Sequence, residues 1–248
     1  PVMLTPFTDK NEVDYEALEK LVDWYIQNGV AGLFADCQSS EMFYLTLKER
    51  VEIAKAVKKF AAGRVPVVAS GHISDRLEDQ VEELTAIAET GVDAVILLTN
   101  RLAKKESSEE EWLEHLKELL SRLPGEIPLG FYECPYPYKR IISVENLKWC
   151  ADSGRFYFIK DTSCDLQCIK GKMEVIKGSQ LKLYNANTST LLESLNMGAA
   201  GFSGVMANFH PQLYAWLCRN FDRQPERARL LADFLTVASL IERQVYPV

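Results

Sequence analysis

Three stretches of this chain carry side chains that could do covalent chemistry on a small molecule. Lys160 ends the apolar run Phe156-Tyr157-Phe158-Ile159. Desolvation beside such a run disfavours the ammonium and leaves a neutral amine, the form that attacks a carbonyl carbon to make an imine. The competing reading pairs Lys160 with Asp161 or another carboxylate at a rim. Tyr132 closes the run Pro128–Tyr132, and its phenol could relay protons to a carbinolamine or to the bond being broken. A core tyrosine with a satisfied hydroxyl is the bland alternative. Gln38-Ser39-Ser40 follows a third apolar run and offers hydroxyls and amides suited to a small carboxylate, or simply a hydrogen-bonded loop. The turn Gly201-Phe202-Ser203-Gly204 adds Ser203 as a substrate contact and could hold a phosphate.

Metal chemistry is not expected. Of three histidines, His72 and His210 fall near strand ends and His115 falls within the helical run Trp112–Leu120. No His-Glu-x-x-His or paired Cys-x-x-Cys occurs. Cys164 and Cys168 stand at helical spacing and are expected as half-buried thiols of one helix.

The elements that must position these groups alternate between two periods. Apolar runs at Val2–Thr5, Gly32–Asp36, Val65–Ser70, Ala94–Leu98, Pro128–Tyr132, Phe156–Lys160, Leu181–Tyr184 and Ala200–Val205 are each followed by a helical pattern such as Leu18, Leu21, Val22, Tyr25. Thr46 with Glu49 and Ser107 with Glu110 fit capping boxes, and Gly29 and Gly91 fit C-terminal caps. Eight strand–helix units predict a (β/α)8 barrel, an α/β fold of parallel strands. An open doubly wound sheet is the runner-up, but no Gly-x-Gly-x-x-Gly follows a strand. In a barrel of this kind the reactive groups sit at the C-terminal ends of strands, where Lys160, Tyr132 and the Gln38–Ser40 turn all fall.

Composition narrows the classes further. The chain has 248 residues, 47% hydrophobic, with 28 basic and 35 acidic side chains and a net charge of −7. It has no basic stripe for nucleic acid and no apolar run long enough to span a bilayer. Six irregularly spaced cysteines do not read as a secreted disulfide framework, so a cytoplasmic setting is expected. The chain starts at Pro1, which leaves a removed targeting segment open.

Taken together, the strand-end residues resemble the dihydrodipicolinate synthase / N-acetylneuraminate lyase family of Schiff-base aldolases. The likeness runs from Thr5-Pro6-Phe7 and Val13-Asp14-x-x-Ala17-Leu18 through Asn28-Gly29-Val30-x-Gly32-Leu33 to Glu41. It continues with Tyr132-x-x-Pro135, Ile159-Lys160-Asp161, Met197-Gly198-Ala199-x-Gly201 and Ala207-Asn208. The resemblance implies that Lys160 forms an imine with a pyruvate-type 2-oxo acid and that Tyr132 transfers protons. Ser39 and the amides of the Gln38–Ser40 turn would hold the substrate carboxylate. It implies no metal or organic cofactor, and a homotetramer or homodimer. It also implies a barrel over residues 1–221, with 222–248 the start of a C-terminal helical extension that continues past Val248 in relatives, all within one domain.

The sequence departs from the family where the second substrate is read. Gln38 stands where the family's loop has its first relay threonine, and Leu102 near where the synthase has a second relay tyrosine. Pro137 takes the place of the arginine that meets a distal carboxylate, with Lys139 and Arg140 as substitutes close by. The loop Asn185-Ala186-Asn187-Thr188 lacks the acidic residues of sialic acid lyases. The expectation is therefore a Schiff-base lyase or aldolase of unassigned aldehyde, with Tyr136 and Tyr138 favouring an aromatic or sugar-derived partner. A dihydrodipicolinate synthase and a non-catalytic 2-oxo acid binding barrel are the alternatives.

Overall fold

The structure is a computed structural model and describes residues 1–245. Strands β1 (Leu33–Ala35), β2 (Val67–Ser70), β3 (Ala94–Leu98), β4 (Leu129–Tyr132), β5 (Phe156–Asp161), β6 (Lys182–Asn185) and β7 (Gly201–Phe202) form one parallel sheet in sequence order. Helices α1 (Tyr15–Gln27), α2 (Leu47–Ala61), α3 (Leu77–Ala88), α4 (Glu109–Arg122), α5 (Val144–Asp152), α6 (Leu166–Ile176), α7 (Leu191–Asn196) and α8 (Pro211–Asn220) alternate with the strands, and α9 (Pro225–Val245) follows. Alternating β and α units of this kind curl the sheet into the expected barrel. Tyr246–Val248, where the sequence ends, lie outside the described residues.

Seven strands form the sheet where eight were expected. The segment Val2–Thr5 makes a single parallel bridge from Val2 to Phe34 of β1. The ladder ends there for a local reason. The Met3 carbonyl, next in line to accept from β1, instead accepts from the Ser40 hydroxyl at 2.7 Å. The last strand is also shorter than expected, because Val205–Asn208 turns into a 3-10 helix. Among the described residues no ladder joins β7 to the Val2 segment, although Asn208 Nδ2 donates to Val2 O at 2.9 Å.

Strand alternation sorts the core into two layers. Phe34, Ile96, Leu98, Tyr132 and Cys134 pack inside the barrel, with Val68 and Phe158 against them. Leu33, Ala35, Val95, Leu97, Phe131 and Ile159 face the helices. Gly130 keeps the interior filled without overlap: a Cβ there would meet Ile96 Cδ1 at 2.6 Å and the Phe158 carbonyl at 2.8 Å. The outer layer is closed by α9, whose Ala228, Ala232 and Leu235 pack beside Leu217 of α8.

Helix termini follow the punctuation of the sequence, with one shift. Thr46 and Glu49 form the expected capping box on α2. On α4 the box is Ser108 with Glu111, one residue beyond Ser107 and Glu110. The run Ser107-Ser108-Glu109-Glu110-Glu111 permits both registers, and burial of Trp112, whose indole donates to Thr99 O at 2.8 Å, selects the later one. Cys164 and Cys168 are not two thiols of one helix. Cys164 lies before α6 in a left-handed conformation (φ 59°) and is exposed, whereas Cys168 is half-buried in the helix.

Candidate active site at the strand ends

Lys160 and Tyr132 stand opposite each other at the ends of β5 and β4, as register partners. Both point into the barrel. The Lys160 Nζ lies 4.0 Å from the centroid of the Tyr132 ring and 5.8 Å from that of Phe34. Lys160 is buried, and burial holds its ammonium below the ordinary lysine range. Asp161 does not pair with it; that carboxylate faces the helices and meets Lys172. Among the described residues no carboxylate lies within ion-pair distance of Lys160. A desolvated amine without a counter-ion is the state a carbonyl nucleophile needs.

The Gln38–Ser40 turn is a 3-10 helix that begins from extended Cys37. Gln38 faces Tyr132, its Oε1 accepting from the phenol at 3.4 Å and from Cys134 Sγ at 3.7 Å. Ser39 is half-buried at the mouth. The Ser40 hydroxyl is spent inside the fold, donating to Met3 O and accepting from Cys37 N at 3.2 Å. What this turn offers a carboxylate is therefore Ser39 and the leading amides, which have no acceptor within a helix. Ser203 follows β7, its amide donating to Asn185 O at 2.8 Å. It lines an apolar cavity together with Phe34, Phe158, Tyr184 and Cys218, and does not join the hydrogen-bonded group around Tyr132 among the described residues.

The loop after β4 holds the residues expected to read a second substrate. Asn100 Nδ2 donates to the carbonyls of Cys134, Tyr136 and Tyr138 and so fixes the loop. Tyr136 is exposed at the rim and packs edge-on against Phe43, with ring centroids 5.0 Å apart. Tyr138 is turned inward, donating its hydroxyl to Asn100 O at 2.6 Å. Arg140 is consumed by the segment before α4, bonding Lys104 O, Ser107 O, Ser108 O and the Glu109 carboxylate. Lys139 donates from Nζ to Thr162 O at 2.7 Å, two residues past Lys160. Of the two cations expected near a distal carboxylate, only Lys139 is placed beside the Lys160 loop.

Three functional candidates were missed in the sequence. Glu133 and Asp161 follow Tyr132 and Lys160, so they point to the opposite face of the sheet. Lys172 of α6 meets both, at 2.5 Å from Asp161 Oδ2 and in direct contact with Glu133 Oε1. The available signal was a lysine between Ile169 and Ile176 on the inward face of a helix.

The histidines are used within the fold. His72 is fully buried, and its Nε2 accepts from Leu98 N at 2.9 Å, which places the ring proton on Nδ1. Burial first, and then Arg101, lowers its pKa to about 3. An imidazole that stays neutral in the fold but takes a proton when unfolded destabilises the fold as pH falls from about 6.5 toward 3. Relative to His72→Gln, the wild-type protein should lose about 1.4 kcal/mol per pH unit over that window. Urea unfolding midpoints from pH 7 to pH 4 check this, and parallel curves for the two proteins would refute it.

Known proteins are similar to this chain in sequence and in fold. A model of the dihydrodipicolinate synthetase family matches residues 1–239. A 4-hydroxy-tetrahydrodipicolinate synthase of Clostridium perfringens is 27% identical over 99% of this chain and 83% of its own. One from Staphylococcus carnosus is 30% identical over 84% of this chain and 69% of its own. Among solved structures, the chloride-inhibited dihydrodipicolinate synthase from Acinetobacter baumannii complexed with pyruvate superposes with a TM-score of 0.86 at 24% identity, covering 96% of this chain and 80% of that one. A dihydrodipicolinate synthase from Bacillus anthracis gives 0.85 at 24%, over 95% and 79%. The chain belongs to the dihydrodipicolinate synthetase family and is an enzyme of the lyase class.

Proposed function

We propose that the chain is a class I aldolase or lyase in which Lys160 forms an imine with a pyruvate-type 2-oxo acid. The observation that carries this reading is the buried Lys160 amine, without a carboxylate partner among the described residues and 4.0 Å from the ring of Tyr132. In this mechanism the Lys160 Nζ attacks the 2-oxo carbon and the carbinolamine loses water to give the protonated imine. That cation is the electron sink. Loss of a C3 proton gives an enamine, whose C3 attacks an aldehyde carbon; the reverse sequence cleaves the same bond. Hydrolysis then frees Lys160. Tyr132 moves the protons, oriented by Gln38, while Ser39 and the leading amides of the turn hold the substrate carboxylate. The imine does the work of a cofactor, so none is assigned. The partners are a 2-oxo acid, an aldehyde and further copies of this chain. One structural neighbour is a monomeric dihydrodipicolinate synthase variant, so assembly in the family is not uniform. No helix among the described residues is long and apolar enough to cross a membrane. All six cysteines are free thiols, which supports a cytoplasmic setting. Residues 1–221 and the helix that follows act as one domain in this reading.

Among acceptors, the synthase reaction with aspartate semialdehyde has the stronger support, because the curated relatives carry that enzyme's name. Lys139, whose Nζ donates to Thr162 O beside the Lys160 loop, is the cation this reading assigns to a second carboxylate. Borohydride reduction in the presence of pyruvate should add mass to the peptide bearing Lys160. A panel of acidic, aromatic and sugar-derived aldehydes then assigns the partner: turnover restricted to aspartate semialdehyde identifies the synthase, and turnover of neutral aldehydes alone excludes it. An adduct with no turnover of any aldehyde would mark a binding module, and no adduct with any 2-oxo acid would sink the imine mechanism.

A further inference from the structure

Behind the two reactive side chains, in the layer between sheet and helices, lie a lysine and two carboxylates with no side-chain exposure at all. Lys172 of α6 reaches Glu133, the residue after Tyr132, and Asp161, the residue after Lys160. We propose that Lys172, clasped by Glu133 and Asp161, is a positioning residue that fixes the two strand ends carrying Tyr132 and Lys160 relative to each other. The proposal rests on the imine reading of Lys160.

The bonds around this group converge on one place. Glu133 Oε1 also accepts from Ile142 N at 3.0 Å and Oε2 from Thr162 N at 3.1 Å. The Glu133 carbonyl accepts from the Thr162 hydroxyl at 2.7 Å, and its amide donates to Lys160 O at 3.3 Å. Asp161 Oδ1 accepts from Ser163 N and Oγ at 3.0 and 2.7 Å. The clasp thus ties the end of β5, the segments after β4 and β5, and α6 together, with each carboxylate one residue from a member of the reactive pair.

Stability alone does not account for such a group. Three ionisable side chains in a dry layer carry a large desolvation cost, and apolar residues of similar volume often hold a fold as well or better. Burial works to lower the Lys172 pKa, but the Glu133 and Asp161 carboxylates overcome it and raise it, which keeps the ammonium charged. Burial and the neighbouring Asp161 charge raise the pKa of Glu133. What the group supplies is directionality. Each carboxylate oxygen in it faces donors, so neither strand end can rotate without leaving a buried charge unpaired. Catalysis by an amine and a phenol on adjacent strands depends on that fixed relation, since small misplacement of reacting groups costs up to about a hundredfold.

Glu133→Gln and Asp161→Asn test this, because each puts an amide donor among donors while keeping side-chain size. The readout is the rate of borohydride trapping at saturating pyruvate and the pyruvate concentration for half-maximal trapping. Leu116→Ala, a core truncation in α4, serves as a control for general destabilisation. Each variant should trap about tenfold or more slowly with half-saturation within about twofold of wild type, while Leu116→Ala traps at the wild-type rate. Trapping at the wild-type rate in the variants, or an equal slowing in Leu116→Ala, would overturn the positioning role. Where a single variant fails to fold, Glu133→Gln/Asp161→Asn/Lys172→Met, which removes all three charges together, decides by the same measure. Absence of trapping in the wild-type protein would instead remove the imine reading itself.

Discussion

Lys160→Ala is expected to form no reducible adduct with pyruvate and to lose at least about 10⁴-fold in turnover, since removal of a covalent nucleophile leaves only residual binding effects. The fold should persist. The wild-type amine is buried without a carboxylate partner among the described residues, so its removal lifts a desolvation cost that offsets the packing lost on truncation. Peptide mass mapping after borohydride reduction reads the first effect and thermal unfolding the second. The amine also has a pH signature. Because burial lowers its pKa, trapping in the wild-type protein should rise with pH and level off below the range of an ordinary lysine. The sign for stability follows the same shift: the unfolded chain takes up this proton below about 10.5 and the folded one does not until lower pH, so the Lys160 contribution improves as pH rises through that window. A variant lacking the amine loses this slope. Trapping that persists in Lys160→Ala would place the imine on another lysine.

Tyr132→Phe should slow turnover by about 10²- to 10⁴-fold, the usual worth of a positioned proton-transfer group, while still forming the pyruvate adduct. The substitution removes the hydroxyl and its 3.4 Å bond to Gln38 but keeps the ring. That ring holds Phe34 edge-on at 5.9 Å and lies under the Lys160 amine, so the walls of the pocket stay in place. A loss of about 1 kcal/mol in stability is expected from removing the bond to Gln38. Stopped-flow turnover beside reductive trapping separates the two steps. Full activity in Tyr132→Phe would mean that the protons travel by another group. Equal loss of trapping and turnover would mean that the phenol acts earlier, in forming the imine.

Strand ends were the part of this molecule most open to reading from residues alone. Lys160 and Tyr132 each close an apolar run, and parallel pairing of successive runs is enough to set them side by side. The fate of Ser40 was less open. A hydroxyl in a Gln-Ser-Ser turn looks available, yet only the folded chain shows Met3 O waiting for it. Lys172 was harder still, because its meaning depends on α6 laying it against two residues 39 and 11 positions away. The capping box of α4 slipped by one residue for a similar reason. Local chemistry allowed two registers, and a tryptophan fitting under Thr99 chose between them. Local patterns thus reached the groups that face the substrate, whereas the groups that brace them answered to long-range packing.

The unpaired seam between β7 and the Val2 segment has a consequence for how the barrel yields. A closed hoop shares load around its whole circumference, but this one has a joint where the main-chain ladder lapses and where β7 offers only two residues. Thermal opening will start at that joint, and amide protons nearby will exchange with solvent first. Tyr132 and Lys160 ride on β4 and β5, away from the joint, and each of those strands is laddered to a neighbour on both sides. The hoop can therefore breathe at its joint while the arc that holds the reactive pair stays shut.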